Sequence, residues 1–314
     1  MSIMRLGHVR LRVMDMEKAL HHYTEVLGML ESGRDPQGRV YLRGWDEWDS
    51  YSLVLSLAER AGVDHIAFKL ESDDDLDVFA ARVAAAGREV RRHAAGELHD
   101  CGRSISFELP SGHTMFLYAE KRFVGKAVGD LNPHPWPDGL KGAAVHWLDH
   151  VMLMCPVDPE KGINTVAETT NFLVEVLGFY LGEQVMAGPD HSFQAASWLF
   201  RGSKPHDLAL GGGPVAGLHH IAFFLDDWNA VLHGADVLGK HKVKIDVTPQ
   251  RHGITRGQTT YFFDPSGNRC EMFGGMGYMA QPDMPTVTWH VEEIWRGIFF
   301  HEGEPKPDFL QVYT

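Results

Sequence analysis

The sequence predicts an α+β protein of two tandem domains, each made of two β-α-β-β-β modules. The first observation behind this prediction is self-similarity, because three short segments recur in the same order in the second half. The second is that each half divides again into two strand–helix units. The recurring pairs are Ile66–Phe68 with Ile221–Phe223 and Pro110–Gly112 with Pro265–Gly267, both offset by 155 residues, and Glu25–Gly28 with Glu175–Gly178, offset by 150.

Each module is expected to open with a short strand, at Gly7–Val9, Asp64–Ile66, Asp149–Val151 and His219–Ile221. A helix with apolar residues at helical spacing follows each strand. The expected caps of these helices are Asp15, Ser72, Thr165 with Glu168 in a capping box, and Asp226. Further strands are predicted at Arg39–Leu42, Tyr51–Leu57, Ser104–Leu109, Thr114–Ala119, Ala195–Phe200, Asp207–Leu210, Thr259–Phe263 and Arg269–Phe273.

The chain is expected to divide at a proline-rich segment. Three prolines between residues 132 and 145 cannot join a β ladder, so this segment is predicted to be a linker. We therefore expect an N-terminal non-catalytic domain over residues 1–131 and a C-terminal catalytic, metal-binding domain over residues 146–275. Residues 276–314 fit no module and are expected to form a tail.

Composition excludes several classes of partner. The formal net charge of −13 repels a phosphate backbone or an anionic bilayer, so nucleic acid and membranes are poor partners. The amino terminus lacks an apolar signal core, and no apolar run reaches membrane-spanning length. The three cysteines, Cys101, Cys155 and Cys270, form no C-x-x-C motif, which indicates a reducing compartment. We expect a cytoplasmic protein.

Histidines hold the same position in all four opening strands. They are His8, His65, His150 and His220, and an apolar residue follows each. Because neighbours in a strand face opposite sides of the sheet, the apolar set can pack under the helices while the histidines face the other surface. By the same alternation, His219 should share a face with Ile221, and His220 should point into a cavity.

A carboxylate distinguishes the two halves. Aligning the two Pro-Ser-Gly segments puts Glu271 opposite Phe116. The second half therefore offers His150, His220 and Glu271, which is the two-histidine, one-carboxylate ligand set of non-heme Fe(II) oxygenases. A single histidine on a strand is usually structural, and for His8 and His65 we keep that interpretation because Phe116 removes a third ligand.

Several motifs make the chain similar to a known family. They are Gly7–Val13, Ala95–Leu98, Cys101–Arg103, Leu218–His220, Arg251–Gly253 and Tyr261–Arg269. On these residues the chain resembles the type I extradiol dioxygenases of the vicinal oxygen chelate superfamily, and among them the catechol 2,3-dioxygenases. The resemblance implies the vicinal oxygen chelate (glyoxalase-like) fold and Fe(II) at His150, His220 and Glu271, with Mn(II) the less favoured metal. It also implies a catechol and O2 as substrates, a semialdehyde product and a homotetramer.

The resemblance further implies roles beside the metal for His206, His252 and Tyr261. His206 would act on the oxygen side, His252 would bond a substrate oxygen, and the Tyr261 hydroxyl would help move a proton. The alternatives are a surface histidine, a loop cap and a core aromatic residue. At the level of function, the alternatives are a glyoxalase-type metal-dependent lyase or isomerase, and a non-catalytic drug-binding protein of the same fold.

Overall fold

The structure, a computed structural model, describes residues 2–314. Its first half contains two units of the same order. The first unit is β1 (Ile3–Val13), α1 (Met16–His21, continued by one π-helical turn over His22–Val26), β2 (Leu30–Arg34), β3 (Val40–Arg43) and β4 (Leu53–Leu57). The second unit is β5 (Gly62–Leu70), α2 (Asp75–Ala85), β6 (Arg91–His93), β7 (Ser104–Glu108) and β8 (Thr114–Tyr118).

The second half repeats this order. Its first unit is β9 (Leu148–Asp158), the short β10 (Ile163–Asn164), α3 (Thr165–Glu175), β11 (Tyr180–Ala187), β12 (Phe193–Phe200) and β13 (Leu208–Gly213). Its second unit is β14 (Gly217–Leu225), α4 (Trp228–Lys240), β15 (Ile245–Arg251), β16 (Gln258–Phe263) and β17 (Arg269–Gly274). The predicted fold class, four β-α-β-β-β modules in two tandem pairs, is confirmed.

The two halves form two sheets with the same strand order. The first sheet runs β2-β3-β4-β1-β5-β8-β7-β6, and the corresponding strands of the second run β11-β12-β13-β9-β14-β17-β16-β15. In each sheet the two opening strands pair antiparallel at the centre, and each pairs parallel with the last strand of its own module. The opening strands of both modules, which carry the histidines, are therefore neighbours.

Apolar residues after the opening histidines lie in the core, as the alternation predicts. Val9, Ile66, Val151 and Ile221 are all buried in one hydrophobic cluster that spans both halves. The helical side of the first half contacts the second half. In the π-helical turn that continues α1, the Tyr23 hydroxyl donates a hydrogen bond of 3.1 Å to Asp264, in the turn between β16 and β17. The histidine face of each sheet is thereby left free to line a cavity.

Helix starts differ from the prediction by a few residues. Asp15 caps α1 as expected, but α2 begins after Asp74, which makes no side-chain capping bond, rather than at Ser72. The caps of α3 and α4 are Asn164 and Asp227, each one residue from the predicted Thr165 and Asp226. In α3 and α4 the neighbouring Asn164 and Asp227 accept the backbone N–H as well as the predicted residue would.

The segment after residue 275 adds structure to the second sheet. Its strand β18 (Val287–His290) pairs parallel with β11, and a 3₁₀ turn (Val291–Glu293) leads into α5 (Ile294–Ile298). The preceding Pro-rich segment, residues 132–145, carries neither helix nor strand. Among residues 2–314, no helix is both long and apolar enough to cross a membrane.

Candidate metal centre

Three neighbouring strands of the second sheet present the candidate ligands. His150 lies on β9, His220 on β14 and Glu271 on β17. Ala222 on β14 pairs directly with His150 on one side and with Glu271 on the other. Directly paired residues point to the same face, and the methyl group of Ala222 leaves the space between the two ligands open.

The ligand atoms converge on one point. The Nε2 atom of His150 lies 2.9 Å from Oε2 of Glu271. The Nε2 atom of His220 lies 3.1 Å from the same oxygen and 3.3 Å from Nε2 of His150. Metal bonds of about 2.1 Å at right angles place neighbouring ligand atoms about 3.0 Å apart. The side chains therefore fit one face of a six-coordinate divalent ion without rearrangement.

The electrostatics of the three groups favour a cation between them. Burial alone would raise the pKa of Glu271, but the hydrogen bonds and charge of His150 and His220 hold it well below its usual range. Burial likewise opposes charge on His150, yet its hydrogen bonds to Asp149 and Glu271 raise its pKa. A buried carboxylate that attracts positive charge this strongly suits a metal ion.

The residue before His150 fixes the orientation of the imidazole. Oδ2 of Asp149 lies 2.8 Å from Nδ1 of His150. A carboxylate only accepts at neutral pH, so Nδ1 carries the proton and Nε2 is left with a lone pair for the metal. The ammonium of Lys204 contacts Asp149 and lies 3.3 Å from Asp207, which ties the loop before β13 to this position.

Strand alternation was wrong for His219. The pairing of β14 with β9 skips this residue, since Leu218 and His220 pair with consecutive residues of β9. The resulting bulge places Nδ1 of His219 2.7 Å from Nδ1 of His220. On its other side, Nε2 of His219 donates to the carbonyl of Phe309 in the tail, 2.8 Å away. His219 is therefore a neighbour of His220 rather than a member of the apolar layer.

His206 lies against the first ligand. The ring centroids of His206 and His150 are 3.9 Å apart, and His206 is buried, which lowers its pKa well below the usual value. Its position in the loop before β13 follows from the Lys204 contacts to Asp149 and Asp207. The structure thus places His206 beside the proposed metal position and not at the surface.

Tyr261 and His252 form a directed hydrogen-bond pair. Tyr261 lies directly opposite Glu271 across β16 and β17, so both side chains face the cavity. Nδ1 of His252 lies 2.6 Å from the Ile298 carbonyl, and Nε2 lies 2.9 Å from the Tyr261 hydroxyl. Because a carbonyl can only accept, Nδ1 carries the proton of the neutral ring, and Nε2 accepts from Tyr261.

The remaining walls of the cavity come from strands and from the tail. Glu271 is steadied by the Thr259 hydroxyl, which contacts its second oxygen. The space left is about 30 Å3, room for about two water molecules. An aromatic substrate therefore enters only if lining side chains or the tail move. The other lining residues are Met152, Trp198, Ile254, Thr255, Phe273, Ile298 and Phe309.

Some of these positions were not identified from the sequence. Asp149 and Phe309 carry no motif of their own. Glu183 on β11 is also buried, and it accepts hydrogen bonds from Trp289 of the tail and from the backbone N–H of Thr255, which lines the cavity. The sequence offered one signal for Glu183, namely that it is a charged residue within the otherwise uncharged strand Tyr180–Ala187.

Volume alone does not identify the site. A groove of about 990 Å3 lies elsewhere, between α1 and the turn that joins β16 to β17. Among the described residues, neither of the two groups with metal-ligand geometry lines that groove.

Comparisons with known proteins agree with this geometry. Residues 63–122 match the family described as catechol 2,3-dioxygenase-like N-terminal domain, and residues 147–272 match the glyoxalase/bleomycin resistance protein/dioxygenase superfamily. The metapyrocatechase of Pseudomonas sp. (strain CF600) is 41% identical over 315 residues, covering 100% of this chain and 99% of that protein. The chain belongs to the extradiol dioxygenase family.

Two further relatives extend this family assignment. The structure of the 2,3-dioxygenase LapB from Pseudomonas sp. KL28 superposes with a TM-score of 0.87 at 40% identity, covering 93% of this chain and 99% of that one. A manganese-dependent 2,3-dihydroxybiphenyl 1,2-dioxygenase from Geobacillus genomosp. 3 is 29% identical, covering 98% of this chain and 96% of that protein. The extradiol dioxygenase resemblance is thus confirmed over the whole chain, against the glyoxalase-type and drug-binding alternatives.

Proposed function

We propose that this extradiol dioxygenase uses Fe(II), held by His150, His220 and Glu271, to open the ring of catechol or a substituted catechol beside its two hydroxyl groups. The product with O2 is a 2-hydroxymuconic semialdehyde. The observation that carries this proposal is the convergence of two imidazole nitrogens and one carboxylate oxygen within 3.3 Å of one another. When bound, the ion supplies a Lewis acid for the two catechol oxygens and a redox centre for O2.

Tyr261 and His252 provide a route for a substrate proton. Since the Tyr261 hydroxyl donates to Nε2 of His252, its oxygen lone pairs remain free to accept a proton from a catechol hydroxyl. As that proton arrives, the tyrosine proton passes to Nε2 of His252. The Ile298 carbonyl keeps Nδ1 of His252 protonated, so the resulting imidazolium has a hydrogen-bond partner on both nitrogens.

His206 is positioned for the oxygen half of the reaction. Its ring centroid lies 3.9 Å from that of His150, and it lines the same cavity as the candidate ligands. We assign it to donate a hydrogen bond from its ring N–H to the oxygen that becomes negative during ring opening. Because burial keeps the ring neutral, a proton that it delivers there is one that its other nitrogen has first taken up from the second catechol hydroxyl. Phe273 and Trp198 line the same cavity and exclude water around these groups.

The experiment is anaerobic reconstitution of the metal-free protein with Fe(II), Mn(II) or Zn(II), followed by addition of a catechol panel and O2. A yellow product with Fe(II) supports the proposal. Turnover with Mn(II) alone would reassign the metal, which is the alternative that the manganese-dependent relative favours. No ring cleavage with any metal, together with turnover of a thiol adduct, would refute it.

The quaternary state and compartment belong to the same proposal. A homotetramer is expected for a member of this family. A cytoplasmic location is supported by three buried cysteines that are all free. Sedimentation of the purified enzyme tests the homotetramer, and a monomer would contradict that proposal.

A further inference from the structure

A second cluster of metal-ligating side chains lies at the protein surface. It consists of His191, His290 and Glu292, whose candidate ligand atoms all lie within 4.8 Å of one another. His191 is in the turn between β11 and β12, His290 ends β18, and Glu292 lies in the 3₁₀ turn that follows. The cluster therefore joins the tail to the hairpin beside it.

The cluster brings its three side chains close together. The rings of His191 and His290 stack with centroids 3.8 Å apart and an interplanar angle of 13°. Because the lone pairs lie in the ring planes, the exposed His290 ring turns out of this stack when both residues bind one ion. Nδ1 of His191 is shielded from solvent and has no hydrogen-bond partner. Oε2 of Glu292 lies 4.0 Å from that nitrogen, which is too far for a hydrogen bond. An unpaired nitrogen facing a carboxylate is a position that a metal ion would satisfy.

We propose that His191, His290 and Glu292 form a second, peripheral site for a divalent cation of the Zn(II) type. Two imidazoles and one carboxylate suit Zn(II) better than Ca(II) or Mg(II), which prefer oxygen ligands. Tetrahedral Zn(II) with bonds of about 2.1 Å needs ligand atoms about 3.4 Å apart. The present separations, all within 4.8 Å, close by rotation of the two exposed side chains, His290 and Glu292, with water as the fourth ligand.

The backbone already holds the three residues in place. His290 pairs with Met186 in the parallel ladder of β18 and β11. Two residues before His290, the Thr288 hydroxyl accepts a hydrogen bond from the side chain of Gln184 on β11. In the turn, the Asp190 carboxylate accepts a hydrogen bond from the Ser192 hydroxyl at 2.8 Å. Binding therefore requires ordering of side chains and no rearrangement of either strand.

A cation at this site would act on the tail. His290 and Glu292 immediately precede α5, whose Ile298 lines the catalytic cavity and accepts the hydrogen bond from His252. Holding them to the β11–β12 turn would restrain the segment that closes this side of the cavity. This consequence rests on the proposed function, whereas binding of the cation does not.

The test is calorimetric titration of the tag-free, iron-loaded enzyme with Zn(II), with iron content measured before and after. We expect one Zn(II) per chain to bind without loss of iron. His191→Ala and His290→Ala should weaken this binding by at least about tenfold, and Glu292→Gln should weaken it less. His233→Ala, which removes an exposed histidine on α4, is the matched control and should leave it unchanged.

Two results would overturn the proposal. One is unchanged stoichiometry and affinity in His290→Ala. The other is Zn(II) uptake matched by an equal release of iron, because the ion would then have entered the first site. For the tail, Zn(II) should slow hydrogen exchange over residues 287–298 in the unmodified enzyme and not in His290→Ala; equal exchange in both would refute the restraint. Neither readout requires catechol turnover, so both separate this site from the proposed reaction.

Discussion

The ammonium of Lys121 lies 3.1 Å from Nδ1 of His8, on the side of the imidazole where its counterpart His150 meets the carboxylate of Asp149. An ammonium can only donate, so Nδ1 of His8 accepts and Nε2 carries the proton. Nε2 of His8 is 3.1 Å from Nε2 of His65, much as in the second half. Phe116 occupies the place of Glu271, since it pairs with Ala67 as Glu271 pairs with Ala222.

Two changes should therefore create a metal site in the first half. We expect Phe116→Glu combined with Lys121→Met to bind a second Fe(II) per chain, because the pair restores a carboxylate and frees Nε2 of His8. Phe116→Glu alone should not bind it, and Phe116→Gln with Lys121→Met is the isosteric control. The measurement is the number of Fe(II) ions bound per chain under anaerobic conditions. One ion per chain in the double variant would show that matching strand pairing and matching side chains are not enough to form a metal site in the first half.

Lys121 also predicts a pH dependence of stability. Burial lowers its pKa from 10.5 to about 8, so between these values the unfolded chain binds the proton that the folded chain has lost. The free energy of unfolding should therefore rise as pH increases across this window, by at most roughly 1.4 kcal/mol per pH unit. Lys121→Met should lack this rise. Urea unfolding of both proteins at several pH values measures the difference, and parallel pH curves would contradict the burial argument.

His206→Phe should separate metal binding from catalysis. His206 touches the His150 ring and is not one of the converging ligands, so iron content should stay at one per chain while kcat falls about a hundredfold. His233→Phe on the exposed face of α4 should change neither quantity. A normal kcat in His206→Phe would remove this residue from the reaction.

Tyr261→Phe should act through the same hydrogen bond as His252→Gln. Each single variant is expected to lower kcat/KM for catechol about a hundredfold without loss of iron. The double variant should be little slower than either, because residues that act as one unit are not additive. Steady-state kinetics of the four proteins form the cycle, and fully multiplied losses would mean that the two side chains act independently.

Much of the fold was predictable because duplication multiplies weak local signals. The four aligned histidines and the Ile-Ala-Phe segments located the central strands. Together with the Glu271–Phe116 difference, they predicted the candidate ligand set that converges in the structure. The first strand after each helix was not predicted. In the first half these strands are short and polar: Leu30–Arg34 has no buried residue, and Arg91–His93 has three residues. An exposed edge strand lacks the apolar alternation that a sequence reveals.

The rest of the site depends on tertiary contacts. The bulge at His219 is a register shift that strict alternation does not contain. The closure of the cavity by Ile298 and Phe309 depends on where the tail packs, and β18 is held by pairing with β11 across about a hundred residues of sequence. The caps of α3 and α4 were displaced by one residue because Asn164 and Asp227 compete with the predicted residues for the same N–H groups.

Fe(II) binding to Glu271→Ala under anaerobic conditions shows whether His150, His220 and Glu271 hold a single ferrous ion. Glu183→Gln, which alters another buried glutamate of the same sheet, is the control and should keep its iron. We expect one Fe(II) per chain in the unmodified protein, and loss of both iron and catechol cleavage in Glu271→Ala. Full iron occupancy with normal turnover in that variant would show that Glu271 is not a ligand of the catalytic ion.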